Sequence, residues 1–453
     1  MARKQAILMA AAILVAVNCC WGQVQGAASQ NSGPASPIGS ETTANTASSA
    51  PGDNRPPSGA QPVGLGIGGS NSVNISLNAN QAWDSRPPVS ISSTNSWEPE
   101  TTFGGELQLN LDTVKAHTRL NYDGSAIVYP NGSPSWRSYQ NFGFSQDVRL
   151  GRWTLTGADT LNYTPNSPYG GYGYGLAPAS GGSSSAVLNP QYVPNQSILT
   201  PFASSYFNTV LGQVEYGLSR RSSWTANGSY GILRYPDSNL YDTNQLMAST
   251  GYNYSLTARD AIFATYNYSD FRYLAYDSIF TSQSVQLGYS RKVSGRISFQ
   301  VSGGPQFTNA TALGAGQKQI QFSGSANLVY SRGYTNLGLT YFAGTTAGSG
   351  VMTGAQTNNV QATIGHSFSH AWTSSFSVGY SNNRGLVQAQ SYDSLYVSPA
   401  LRRSVTRNFG LTFNYTYQKQ LTQTTCAGLV CGDFDRSFAS VGIDYRFKPI
   451  RLE

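Results

Sequence analysis

Residues 408–417 read NFGLTFNYTY: Phe409, Leu411, Phe413, Tyr415 and Tyr417 alternate without a break with Asn408, Gly410, Thr412, Asn414 and Thr416. A period of two sends one set of side chains to one face of a β-strand and the other set to the opposite face. The same alternation recurs through Val73, Ile75 and Leu77, through Val285, Leu287 and Tyr289, through Ile297, Phe299 and Val301, and through Ile320 and Phe322. The polar members are Ser, Thr, Asn, Gln and Gly, where the outer face of a soluble sandwich usually carries Lys and Glu. The segments run to about 10–13 residues, against about 5–6 for an ordinary strand. Strands of about 10 residues, apolar on one side and polar on the other, are the signature of a transmembrane β-barrel. The cause is the solvent: lipid cannot hydrogen-bond a backbone, so a sheet in a bilayer must close on itself.

Composition agrees. Of 453 residues only 11% are charged, yet 12% are aromatic, with 29 Tyr and 48 Gly. A disordered chain has few aromatics and more charge. The pI of about 9.1 rests on 28 basic against 21 acidic residues, thinly spread, which argues against nucleic acid as a partner. A mean hydropathy of -0.30 excludes a helical membrane protein. The expected arrangement turns the aromatics and aliphatics toward lipid and neutral polar side chains toward a water-filled lumen.

The connections alternate in length. Tight ones lie at Asp112–Val114, Leu150–Arg152, Arg220–Ser222, Ala258–Asp260, Lys292–Gly295, Arg332–Gly333, Ser369–Ala371 and Arg403–Val405. Longer ones fall between them, the longest at Thr164–Ser205. Short turns face the periplasm and long loops face outside in barrels of this kind. The reading is all-β: an antiparallel up-and-down transmembrane barrel of about 18 strands, even as single-chain bacterial barrels require, with both ends periplasmic. It depends on a weak strand near Asn71–Trp83, and 16 strands is the nearest alternative. Trp153, Trp224, Trp372, Tyr330 and Tyr380, near strand ends, fit interfacial aromatic girdles.

Ahead of the barrel, Arg3 and Lys4 precede the apolar run Gln5–Val17 and small residues, the pattern of a secretory signal peptide over residues 1–22; cleavage after Ala28 is the alternative. Residues 23–70, mostly Ser, Ala, Pro, Gly, Asn and Thr, read as a disordered periplasmic linker. The barrel then occupies residues 71–447 and a periplasmic tail 448–453. Removing the signal removes Cys19 and Cys20 and leaves Cys426 and Cys431, an even pair in an exported chain that reads as one disulfide; a metal pair lacks a nearby His or third Cys.

The closing strand, SVGIDYRF, carries Val441, Ile443, Tyr445 and Phe447 on one face, resembling the C-terminal signal by which outer-membrane barrels engage their assembly machinery. With the hairpin rhythm of TARDAIFATYNYSDF and VQLGYSRKVSGRISFQVSGGPQF, the chain resembles bacterial outer-membrane porin-like families over about Asn71 to Phe447. The nearest is the putative β-barrel porin of the second type, which accompanies exopolysaccharide export systems. The resemblance implies passive transport or secretion across the outer membrane of a Gram-negative-type bacterium, with lipid, hydrophilic solutes or polysaccharide, and a periplasmic export component as partners.

About 18 strands enclose room for water, so the inward side chains are the functional surface. Glu106, Lys115, His117, Arg119, Asp123, Asp147, Arg149 and Glu215 fall on the polar face of the early strands. They read either as a transverse field at the narrowest part of a channel or as salt bridges that brace the wall. In the long loop, Tyr169, Tyr172 and Tyr174 lie among glycines (YGGYGYG), suited to a constriction, to stacking on sugars, or to a mobile exposed loop. Catalysis finds little support: His117 has no nucleophile beside it in sequence, and His366 and His370 have a spacing useful on a helix rather than a strand. No metal or cofactor is expected. Three functions stand: a diffusion channel for hydrophilic solutes, a barrel for exopolysaccharide secretion or uptake, and a non-conducting surface or structural barrel.

Overall fold

The computed structural model describes residues 71–85, 97–113, 115–130, 136–164, 204–236, 240–274, 278–312, 315–348, 352–387, 390–422 and 433–452. The strands are β1 (Ser72–Asp84), β2 (Glu98–Asp112), β3 (Ala116–Val128), β4 (Trp136–Leu150), β5 (Trp153–Thr164), β6 (Ser205–Gly217), β7 (Ser222–Arg234), β8 (Thr243–Ser255), β9 (Asp260–Tyr273), β10 (Ser278–Lys292), β11 (Ile297–Ala312), β12 (Ala315–Arg332), β13 (Thr335–Thr346), β14 (Ala355–Ser367), β15 (Trp372–Gly385), β16 (Ser391–Ser404), β17 (Phe409–Thr422) and β18 (Phe434–Arg446). Each pairs antiparallel with the next, and β18 returns to β1 with Leu77 opposite Tyr445. A two-residue strand, β19 (Ile450–Arg451), extends that seam onto Ser72 and Val73. The result is a closed antiparallel barrel of 18 strands. The weak strand expected near Asn71–Trp83 is β1, and the ring closes through it.

Register carries the period-two reading around the whole ring, because residues directly opposite on paired strands share a face. Val210, Tyr230 and Leu246 stand opposite one another on β6, β7 and β8. Val441, Phe413 and Leu401 do so on β18, β17 and β16. This face is exposed, with Leu287, Ile320 and Phe322 among its most open positions. Trp153, Trp224, Trp372, Tyr330 and Tyr380 all take this outer parity.

The tight connections share a chemistry. In five of them an apolar residue is followed by Ser or Thr: Leu218-Ser219, Leu256-Thr257, Val293-Ser294, Phe368-Ser369 and Val405-Thr406. Each hydroxyl accepts from the two amides that follow. Arg221 and Ser222 donate to Ser219 Oγ at 3.1 Å each, and Arg259 and Asp260 donate to Thr257 Oγ1 at 3.0 Å each. Ser294, Ser369 and Thr406 repeat the pattern. A short side-chain acceptor thus holds donors that the turn removes from the ladder. The apolar residue ahead of each hydroxyl is exposed. Gly151 (φ 63°) and Gly333 (φ 54°) serve the two shortest turns, where left-handed backbone is needed. Because water can replace part of the lost bonding, Thr257→Ala should cost only about 0.5–1 kcal/mol, read as a lowered urea midpoint of the refolded barrel.

One expectation fails at the loop end. Phe271, Tyr273 and Phe280 lie on the inner face, not the outer, and form a buried cluster with Ala310, Ala347 and Leu386. The cause is an overlap in the wall. The β12–β13 ladder covers only Gly324–Arg332 against Thr335–Ala343, so the first half of β12 has no partner on β13. Beyond that point β13 to β16 dip behind the inner face of β9 to β12. Tyr273 donates to Ala347 O at 2.8 Å, Gln319 Nε2 to Leu386 O at 3.1 Å, and Thr308 and Thr345 hydroxyls meet at 3.2 Å. Inner-face aromatics there bury against protein rather than facing water.

Candidate functional site

The inner face near the turn end of β1 to β6 gathers the charges. Asp112, His117, Asp147, Thr156 and Gln213 form one continuous register row across β2 to β6. Asn110, Arg119 and Ser145 form the next. Glu106 and Asp123 face each other across β2 and β3, with Asn141 beyond on β4. Arg149, Thr154, Glu215 and Thr225 complete a fourth row. Seven of the eight charged residues expected from the sequence therefore share one face of the sheet. Lys115 differs: it lies exposed in the β2–β3 turn, where its carbonyl accepts from the Arg149 amide at 2.7 Å.

The contacts within this set are local. His117 Nδ1 lies 2.8 Å from Asp112 Oδ1, Thr156 Oγ1 donates to Asp147 Oδ1 at 2.7 Å, and Ser76 Oγ donates to Glu106 Oε2 at 3.2 Å. Gln108 Nε2 donates to the other Glu106 oxygen. Carboxylates are thus braced by neutral donors on neighbouring strands, while Arg119 and Arg149 remain half-buried.

Sequence reasoning missed several charges. Asp112 pairs with His117. Arg402 and Asp444 meet at 2.5 Å on the inner face of β16 and β18, with Arg446 Nε 3.7 Å from the same carboxylate. They continue the charged half-ring past the closing seam. At the loop end of that seam, Arg436 grips Asp84 through Nε (2.8 Å) and Nη2 (2.5 Å), and both are almost fully buried. These pairs join distant parts of the chain, and only the closed register reveals them.

The inner face of β7 to β15 is mostly neutral, with Lys292 at the turn end of β10. Thr225, Asn227 and Ser229 on β7, Thr265 on β9, and Ser302 and Gln306 on β11 are buried inner-face residues. At the loop end, Thr346, Thr357, Asn383 and Ser381 form a buried chain of hydrogen bonds across β13 to β15.

His366 Nδ1 lies 2.8 Å from Thr335 Oγ1 with its ring against Phe368, and His370 sits in the β14–β15 turn. Among the described residues no three His, Cys, Asp or Glu side chains are grouped to hold a metal. Tyr169, Tyr172, Tyr174, Cys426 and Cys431 lie outside the described residues, as do residues 1–70. The closing strand is as expected in pattern: Val441, Ile443, Tyr445 and Phe447 are all exposed on the outer face, and the Phe447 amide continues the ladder to Ile75 O at 3.0 Å.

No family model and no curated protein sequence matches the chain. Solved structures similar in shape include three outer-membrane proteins. OpdQ of Pseudomonas aeruginosa is 13% identical, with 84% of this chain and 98% of that one covered and a TM-score of 0.42. OccK2 (OpdF) of the same organism is 12% identical, with 83% and 98% covered and a TM-score of 0.43. OccAB3 of Acinetobacter baumannii is 11% identical, with 83% and 99% covered and a TM-score of 0.42. The barrel assignment rests on this chain's own closed register.

Proposed function

We propose that the chain is an outer-membrane channel that passes small hydrophilic solutes passively. The observation that carries this is the two-faced closed ring: an outer face of exposed aliphatic and aromatic side chains over a polar inner face, in a sheet of 18 strands. Such an outer face suits lipid, and a ring of that size leaves room for water. The tight turns and both ends of the barrel face the periplasm in this reading. Residues 1–22 direct export, residues 23–70 link, Cys426 and Cys431 close a loop, and the β18 outer face engages the assembly machinery.

The solute path runs along β1 to β5. Glu106, Arg119, Asp123 and Arg149 are half-buried there, whereas the inner face of β6 to β11 is buried almost throughout. Charges of both signs on one side of a bore set a transverse field that orients polar solutes and biases ions. Refolded protein in planar bilayers should give discrete conductance steps. Arg119→Glu should then shift the cation-to-anion permeability ratio toward cations by on the order of twofold or more. An unchanged reversal potential removes these charges from the path.

A second reading, a non-conducting surface barrel, is favoured by the packed loop end, where Thr357, Asn383, Ser381 and Tyr392 are fully buried. Absence of conductance steps in correctly folded protein would select it. Exopolysaccharide passage requires a continuous wide bore and draws no support from that packing.

A further inference from the structure

We infer that the overlap between β12 and β13 forms a binding cleft for an acidic saccharide. The ladder ends at Gly324–Ala343, and the two walls then pass one behind the other instead of meeting edge to edge. A cleft of about 460 Å³ lies between them. It is lined by Gln319 and Gln321 from the inner face of β12 and by Gln356, Asn358 and Arg384 from the outer face of β14 and β15, with Phe322 at its side. A pocket bounded by opposite faces of one sheet can exist only where the wall overlaps. Its size suits a small ligand.

The side chains state what that ligand offers. Gln321 uses its amide nitrogen on Gln319 Oε1 at 2.7 Å, and Gln356 uses its own on Phe322 O at 3.3 Å, replacing a partner that the interrupted ladder does not supply. The remaining amide oxygens, Gln321 Oε1 and Gln356 Oε1, are buried and accept no hydrogen bond. Two buried acceptors without donors are costly when empty and reward a ligand rich in hydroxyl groups. Arg384 is exposed and makes no ion pair among the described residues, so its guanidinium is open to a carboxylate or a phosphate. Phe322 turns its ring to the outer face of β12, over Gly303 and Gly324, and meets Gln356 through its carbonyl. Hydroxyls for the amide oxygens and an anionic group for Arg384 together describe an acidic sugar. The source is either the headgroup of a glycolipid in the outer leaflet or a free oligosaccharide. The inference does not depend on the barrel conducting.

Trigalacturonic acid and its uncharged methyl ester, titrated calorimetrically into the full-length protein in detergent micelles, separate the contributions. The acid should bind about tenfold more tightly than the ester. Arg384→Ala, at an exposed position that leaves the fold intact, should bring the acid down to the level of the ester and leave the ester unchanged. Gln321→Leu should weaken both by about tenfold. No binding of either sugar by folded protein, or a preference for the acid that survives Arg384→Ala, overturns the proposal. Repeating the titration in nanodiscs containing lipopolysaccharide assigns the source: loss of trigalacturonate binding identifies the glycolipid headgroup as the occupant, and retained binding identifies the free sugar. Conductance measured in parallel keeps the channel reading separate, since a protein that conducts without binding sugar fails only this inference.

Discussion

Arg436→Ala should leave a barrel that no longer resists heat and detergent. Arg436 and Asp84 are 352 positions apart in sequence and belong to the strands that close the ring. The guanidinium reaches the carboxylate through Nε and Nη2, the two-point geometry that gives Arg–carboxylate pairs their directionality. Exposure of the two side chains is 5% and 1%. Truncating the arginine takes a two-point partner from the buried Asp84 carboxylate, and breaking such a pair from one side typically costs about 3–5 kcal/mol. That loss falls on the one ladder whose strands no hairpin connects, so chain connectivity cannot compensate. The arginine also lies over the Phe438 ring at 5.9 Å, and truncation removes that packing as well. Semi-native electrophoresis should show the folded band of Arg436→Ala disappearing at a markedly lower temperature, with a lower urea midpoint. The double variant Asp84→Leu with Arg436→Met should recover most of the loss, because replacing both charges with apolar side chains removes the desolvation cost together with the attraction. Wild-type stability in Arg436→Ala would mean that water already screens the pair.

The clamp also marks where sequence reading stops. The alternation at 408–417 defines β17 and both its faces, because bilayer and lumen impose a period of two directly on side-chain type. The alternation of short and long connections gave the strand number for the same reason. Asp84 and Arg436 carry no such signal. Each is one charge at a strand end, and their pairing exists only once the ring is closed. The turn hydroxyls were legible: an apolar residue followed by Ser or Thr recurs at Leu218, Leu256, Val293, Phe368 and Val405, and a search for side-chain acceptors in turns would have found it. Phe271, Tyr273 and Phe280 depart from the general expectation because alternation assigns aromatics to lipid by polarity alone. A wall folded behind itself offers an inner face that is equally dry. Of the charged candidates, seven share one face of the sheet, and Lys115 lies apart because it falls one residue before β3 begins. The overlap at β12 and β13 is illegible in principle, since both strands keep their period past the point where they cease to pair.

Gly304→Ala should be the most damaging single-methyl change in the wall. In β11 the residue is followed by Pro305, which has no amide hydrogen to give the ladder. The β10–β11 register stays in phase, but the ladder is interrupted between Ser284–Gln306 and Leu287–Gly303, at Val285 and Gln286. With that donor absent, the backbone of β10 comes close against Gly304. A Cβ there would lie 1.9 Å from the Val285 carbonyl oxygen and 3.2 Å from the Gln286 Cα. The obstacle is main chain, which cannot rotate aside as a long side chain could, so β10 or β11 must shift. Forcing that shift should cost about 1–3 kcal/mol, read as a lower urea midpoint. Gly212→Ala on β6 supplies the opposite sign in the same sheet. Nothing lies within 4 Å of its added methyl, and a strand glycine is generally less stable than alanine by roughly 0.5–1 kcal/mol. If both substitutions raise or both lower the midpoint by similar amounts, the close approach at Val285 is not what holds Gly304 in place. Opposite signs tie the cost at Gly304 to the close approach of the Val285 main chain.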